Sequence, residues 1–181
     1  MIFTSTPLSG LYEIDLEPHK DPRGSFTRTY CNDEFKEVGL TKDIVQINHS
    51  ISEFKGTFRG FHFQHAPFVE TKIIRCIAGT IVDIVIDIRR DSPTFLNAFH
   101  IELSADNYKM LLIPEGMAHG FQTIEDRSSL LYLHTEYYNR DFEDGIRYND
   151  PLIDVTLPLE ITTMSERDSG FKYLDSNFKG I

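Results

Sequence analysis

The run Thr80-Ile-Val-Asp-Ile-Val-Ile-Asp-Ile88 constrains the fold more than any other stretch of the chain. Seven of its nine residues are β-branched, which stiffens the side chains and favours a strand over a helix. It stops at Arg89-Arg-Asp-Ser-Pro93, a turn signal. Shorter runs of similar character fall at Leu11–Leu16, Thr71–Ala78, Ala98–Leu103, Lys109–Ile113 and Ser129–Thr135. Turn residues separate them at Ser104–Asn107, Pro114–Gly116 and Glu125–Arg127. This spacing predicts an all-β sandwich or barrel. One short helix is expected, with Asn32 as N-cap, Asp33 and Glu34 in its first turn and Gly39 closing it. The polar stretch Ile161–Ile181 reads as loop with one or two helical turns.

At 181 residues, with 40% apolar and 25% charged side chains, the chain fits a single domain over residues 1–181 that buries its own core. The formal net charge is −10. That argues against a nucleic-acid binder, which presents a basic face. It leaves an anionic small molecule open, because a few converging cations decide the local field. Cys31 and Cys76 have no paired metal-ligand spacing and read as reduced thiols. No basic-then-apolar leader opens the sequence, and no apolar stretch reaches the roughly 20 residues of a membrane helix. The expectation is a cytoplasmic enzyme with no membrane contact.

Two segments carry a pattern. Pro114-Glu-Gly-Met-Ala-His119 is a turn followed by a strand ending in histidine. Gly56 is followed, after five residues, by His62-Phe-Gln64. Together they resemble the two halves of the cupin signature, with Gln64 where a second histidine would stand. The resemblance implies a cupin jelly-roll barrel (a double-stranded β-helix) with a few short peripheral helices. A transition metal needs about three or four ligands, largely imidazole and carboxylate. His62 and His119 supply two, Gln64 is a neutral amide, and Glu70 is placed only if the strand register suits. No metal is expected. The plainer reading of the two histidines is an interior hydrogen-bonded pair. It is weakened by the polar run around His62, because buried polar groups are costly unless paired or used.

Further segments follow in order: Asp21-Pro-Arg-Gly-Ser-Phe26, Gln46-Ile-Asn-His-Ser50, Gly56-Thr-Phe-Arg-Gly-Phe-His-Phe-Gln64 with Lys72, and Asp91-Ser-Pro-Thr94. Then come Ile113–Phe121, Tyr132 with Tyr137-Tyr138, Glu143-Asp-Gly-Ile146, Asn149-Asp-Pro151 and Ser165-Glu-Arg-Asp168. In this order, over nearly the whole chain, they resemble the dTDP-4-dehydrorhamnose 3,5-epimerase family. The resemblance implies a homodimer; no cofactor is expected, since the substrate already carries its ketone and the chain shows no dinucleotide-binding glycine fingerprint. It would invert C3 and C5 of a dTDP-linked 4-keto-6-deoxyhexose, a nucleotide-diphosphate sugar. It also implies His62 as general base with Asp168 as its carboxylate partner, Tyr132 as general acid and Lys72 at the C4 oxygen. Arg59 and Arg23 would hold the diphosphate, and Tyr138 would stack on the nucleotide base. Gln46, Asn48, Gln64, His119 and Glu143 would line the site, with Phe26, Arg28 and Arg167 among the substrate contacts.

The chemistry asks for these residue types. A C–H bond beside a ketone is acidic because the carbanion is an enolate, with charge on the carbonyl oxygen. An imidazole titrates near working pH and suits the base. A preplaced cation acts most strongly where charge develops. An acid on the opposite face completes the inversion, and guanidinium groups match phosphate oxygens.

Several positions depart from the family pattern. Arg28 stands for a glutamate, Tyr148 and Leu157 for tryptophans, Arg167 for a lysine and Phe61 for a leucine. Glu70 and Thr71 stand near the usual glutamine before Lys72. None is the proposed base, acid or oxyanion partner, so the reaction type is read more firmly than the substrate. A different nucleotide or inversion at one carbon stays open. The rivals are a metal-dependent cupin and a catalytically silent sugar-nucleotide binder. Against the second stands the joint presence of His62, Lys72, Tyr132 and Asp168.

Overall fold

The computed structural model describes residues 1–181. Six strands form one sheet: β1 (Ile2–Ser5), β2 (Tyr12–Asp15), β5 (Gln46–Ser52), β7 (Lys72–Ala78), β10 (Lys109–Ile113) and β12 (Ser128–His134). Their order is β1-β2-β10-β7-β12-β5. Five more form the second sheet: β6 (Phe58–Gln64), β8 (Thr80–Asp87), β9 (Ala98–Ser104), β11 (Met117–Thr123) and β13 (Glu143–Gly145), ordered β13-β6-β11-β8-β9. All pairings between these strands are antiparallel. The short strands β3 (His19–Asp21) and β4 (Gly24–Phe26) make a separate hairpin. This is the all-β jelly roll expected from the sequence.

Strand alternation sorts the apolar residues into three layers. Between the sheets lie Ile74, Cys76, Ile81, Val85, Leu111, Phe121 and Leu130. Behind the smaller sheet, Phe58, Phe61, Ile84 and Ile86 pack under the C-terminal segment. Tyr148 and Leu157, two of the departures from the family pattern, pack in this outer layer. Behind the larger sheet, Ile14, Ile73, Met110 and Leu112 pack on Phe35 and Leu40.

The two aspartates that interrupt the Thr80–Ile88 run have different duties. Asp87 accepts from Arg89, Ser92 and Thr94, and so braces the turn that follows β8. Asp83 lies between the sheets and belongs to the site.

The helix α1 (Asn32–Glu37) is where expected, but its N-cap is Cys31, which makes no side-chain capping bond. Asn32 is already helical, and its side-chain oxygen accepts from the Tyr30 hydroxyl instead. Gly39, at φ +93°, ends the helix as expected. Its N–H donates to Lys36 O, and Leu40 N–H donates to Phe35 O, the paired bonds of a Schellman stop. The single helix of the C-terminal stretch is α2 (Glu166–Gly170). Strands β1, β3, β4, β5 and β13 lie in stretches the sequence pattern did not mark as strands.

Candidate active site

In the larger sheet, the inward side chains change from apolar to polar along each strand. Strand β7 passes from Cys76 and Ile74 to Lys72, and β12 from Leu130 to Tyr132 and His134. Edge strand β5 turns Gln46, Asn48 and Ser50 to the same space. The facing sheet contributes Arg59, His62, His119 and Phe121. The result is a cavity of about 260 Å³ whose fourteen lining residues include only three hydrophobic ones.

His62 and His119 are direct cross-strand partners on β6 and β11. Each turns Nε2 to a carboxylate. His62 Nε2 lies 2.9 Å from Asp168 Oδ1, and His119 Nε2 lies 3.0 Å from Asp83 Oδ2. Asp168 is held by its own turn: Ser165 caps α2 by accepting Asp168 N–H, and Gly60 N–H donates to Asp168 Oδ2 at 3.1 Å. Burial pushes the Asp168 carboxyl up, but its bonds to His62 and Gly60 outweigh that and hold it at about 2. It therefore stays ionised and can accept an Nε2 proton from His62, the tautomer that leaves Nδ1 free. Phe171 meets the His62 ring edge to face at 5.9 Å.

Tyr132 lies between two imidazoles, edge-on to His119 and stacked on His134. Burial, followed by the charge of Asp83, pushes its phenol far above the ordinary range. It keeps its proton until a strong base arrives. Lys72 meets Glu70 at 3.1 Å. At the cavity mouth, Glu143 Oε2 accepts from Tyr138 OH at 3.0 Å and from Arg167 Nη1 at 2.6 Å. Arg59 donates to Ser52 and to the Ile51 carbonyl.

Ten of the residues singled out in the sequence thus line one cavity: Gln46, Asn48, Arg59, His62, Lys72, His119, Tyr132, Tyr138, Glu143 and Arg167. Asp168 stands directly behind His62. Gln64 is not at the cavity surface. Its amide donates to the Phe68 and Tyr137 carbonyls and accepts Asn139 N–H, so it anchors the loop that carries Tyr138. Arg23, Phe26 and Arg28 also lie outside the lining. Arg23 and Phe26 are on the β3–β4 hairpin, where Arg23 bonds Asp21, and Arg28 bonds Glu34. Phe26 is 76% exposed. No group of three or more His, Cys, Asp or Glu side chains is arranged as a ligand set for a metal.

The family model for dTDP-4-dehydrorhamnose 3,5-epimerase matches residues 5–176. The chain belongs to the dTDP-4-dehydrorhamnose 3,5-epimerase family. It is 36% identical over 177 residues to the enzyme of that name from Salmonella typhimurium, covering 97% of this chain and 96% of that one. A crystal structure of the Bacillus anthracis dTDP-4-dehydrorhamnose 3,5-epimerase, with TDP and pyrophosphate bound, superposes with a TM-score of 0.92 at 35% identity. That match covers 96% of this chain and 99% of the other. The Legionella pneumophila dTDP-6-deoxy-D-glucose-3,5-epimerase, in complex with dTDP-4-keto-L-rhamnose, superposes at 0.91 with 33% identity. It covers 95% of this chain and 92% of that one. The chain is an epimerase, and no helix in it is long and apolar enough to cross a membrane.

Four polar residues of this epimerase site had no assigned role in the sequence: Ser50, Asp83, Glu70 and His134. Asp83 carried a signal, a charge inside a β-branched run. Ser50 falls within the family pattern and Glu70 beside it, with no role implied for either, and in sequence His134 is the polar end of an ordinary strand.

Proposed function

We propose that this epimerase inverts both C3 and C5 of a dTDP-linked 4-keto-6-deoxyhexose by proton removal and return on opposite faces. One observation carries the reading: a carboxylate-braced imidazole, a buried phenol and an ammonium line the same small cavity. At about 260 Å³ the cavity falls just below the about 300–1,000 Å³ range of ligand sites, so it suits the sugar ring alone. The nucleotide lies along the mouth, beside Tyr138, Arg59 and Arg167.

His62 Nδ1 takes the proton from the carbon beside the ketone. The C–H electrons move into the new C=C bond, and the carbonyl π electrons move to the C4 oxygen. Lys72 faces the negative charge that develops there. Asp168 stabilises the imidazolium. Tyr132 then delivers a proton to the opposite face, and the carbonyl re-forms. The cycle closes when the imidazolium gives its proton to water and the phenolate takes one back. The ketone supplies the C–H acidity, so the scheme calls on no cofactor. The Arg59 guanidinium and the Arg167 guanidinium hold the diphosphate.

The proposal includes a homodimer and a cytoplasmic setting. Exposed Ile47 and Ile51 on the outer face of edge strand β5, with Phe26 on the hairpin, support a covered surface. In the dimer, the Arg23–Phe26 hairpin reaches a neighbouring subunit. The two free thiols suit a reducing compartment.

The test is solvent exchange. In D2O with dTDP-4-keto-6-deoxyglucose, NMR is expected to show deuterium entering at both C3 and C5, and His62→Ala to abolish it. A His62→Ala protein that exchanges at the normal rate removes His62 as the base. Deuterium at one carbon alone makes this a single-centre epimerase.

A further inference from the structure

The mechanism above leaves Glu70 and His134 unused, although both face the cavity and both are buried. Lys72 and His134 sit directly opposite each other on β7 and β12. Glu70, just before β7, reaches both. Its Oε1 lies 3.1 Å from Lys72 Nζ, and its Oε2 lies 2.6 Å from His134 Nδ1. The far side of the ring continues the chain: His134 Nε2 lies 3.2 Å from Asn48 Nδ2. Tyr132 lies parallel to the same ring, with centroids 6.0 Å apart and planes at 13°. One imidazole therefore touches the proposed acid and the cavity wall, and is joined through Glu70 to the ammonium assigned to the oxyanion.

We propose that Glu70 and His134 are a positioning pair, which fixes the Lys72 ammonium against the C4 oxygen and sets the plane of Tyr132. The proposal rests on the reading of Lys72 and Tyr132 given above.

A lysine head group has three donors on a flexible stem, so its direction must be imposed from outside. Glu70 imposes it with one oxygen, and His134 immobilises Glu70 through the other. Burial raises the Glu70 carboxyl, but Lys72 and His134 more than offset this and leave it below the ordinary range. Glu70 is thus an anion between two donors. With Asn48 Nδ2 facing Nε2, the His134 ring carries its proton on Nδ1 and gives it to Glu70. Backbone clips hold the ends of the two strands in place: Thr71 N–H donates to Thr135 Oγ1, and Thr135 N–H to Thr71 O. An array braced in this way is what a site needs when misplacement by about 1 Å costs roughly a hundredfold in rate.

Two measurements test the pair. The first uses Glu70→Gln, which keeps shape and hydrogen bonding but removes the charge, and His134→Gln. Both are expected to lower kcat and deuterium wash-in by about ten- to a hundredfold, with KM within a few-fold of wild type. A Glu70→Gln protein with wild-type kcat overturns the proposal. The second needs no turnover. In the substrate-free protein, 15N NMR of the His134 ring is expected to show the Nδ1-protonated form. Lys72→Met should move those resonances, and the Glu70→Gln background should abolish that response. An Nε2-protonated ring, or resonances blind to Lys72→Met, overturns the pair. If wild type washes in no deuterium, the assigned reaction fails, and the ring resonances still decide whether the pair exists.

Discussion

Arg167 Nη2 stands 3.0 Å from His62 Nε2, and Asp168 Oδ1 stands 2.9 Å from the same nitrogen. One ring nitrogen cannot serve both. An N–H there donates to the carboxylate and repels the guanidinium; a lone pair accepts from the guanidinium and repels the carboxylate. The proposed base is ready only in the first state, with Nδ1 free. On that reading, a substrate diphosphate that drew Arg167 off the ring would favour the active form. Arg167→Gln is expected to raise KM about tenfold or more, the value of a charge-assisted hydrogen bond, with kcat largely kept. Steady-state kinetics check this, and an unchanged KM would remove Arg167 from the diphosphate site.

Acid should loosen the fold through two aspartates. Asp168 and Asp87 are both held at about 2, below the unfolded value of about 3.9. In each, burial raises the carboxyl and hydrogen bonds overcome it, from His62 in one and Arg89 in the other. A depressed native value adds stability above the unfolded pKa. That stability is lost as pH falls from about 4 towards 2. Melting temperature measured across this window should fall steeply in wild type. Asp87→Asn and Asp168→Asn should each start lower and show a shallower fall.

Strands β7, β8, β10 and β12 were legible because each is a run of β-branched or apolar residues ended by turn chemistry; β5 and β13, whose residues are mostly polar, gave no such signal. The Thr80–Ile88 run became β8, and its interrupting aspartates marked one site residue and one turn brace. The cavity residues Gln46, Arg59, His62 and Lys72 were legible as members of a family pattern. Their partners were less so. Nothing local joins Glu70 to His134 or Asp83 to His119, since those contacts exist only after β7, β8, β11 and β12 pair across long loops. Gln64 was placed on the right strand, but strand alternation cannot report that a loop over residues 137–139 takes up its amide. Arg23 and Arg28 each found a carboxylate within six residues, which composition alone does not reveal.

Tyr132→Phe should separate proton loss from inversion. The change removes one hydroxyl and keeps the ring stacked on His134. His62 can still take the proton and return a deuteron to the same face. The expected outcome is wash-in at a rate within a few-fold of wild type, with inversion down by about a hundredfold, the usual worth of a general acid. NMR of the recovered sugar nucleotide reads both quantities. Equal loss of wash-in and inversion would mean that the phenol has another task.

Gly60 and Gly120 let β6 and β11 approach closely enough for His62 and His119 to stand opposite each other. A Cβ on Gly60 would lie 2.5 Å from Gly120 Cα, and one on Gly120 would lie 2.8 Å from Arg59 O. Both obstacles are backbone and cannot swing aside. Gly60 also has φ +143°, a region that side chains avoid. The cost of Gly120→Ala is therefore overpacking, about 1–3 kcal/mol, and Gly60→Ala adds backbone strain of about 1–3 kcal/mol. For a chain of this size each kcal/mol lowers Tm by about 2–4 °C. Calorimetry should rank Gly60→Ala below Gly120→Ala and both below wild type. Either variant that folds should also lose kcat, because separating the strands moves His62 away from His119 and the facing wall of the cavity. A Gly60→Ala protein as stable and active as wild type would show that the histidines do not depend on this contact.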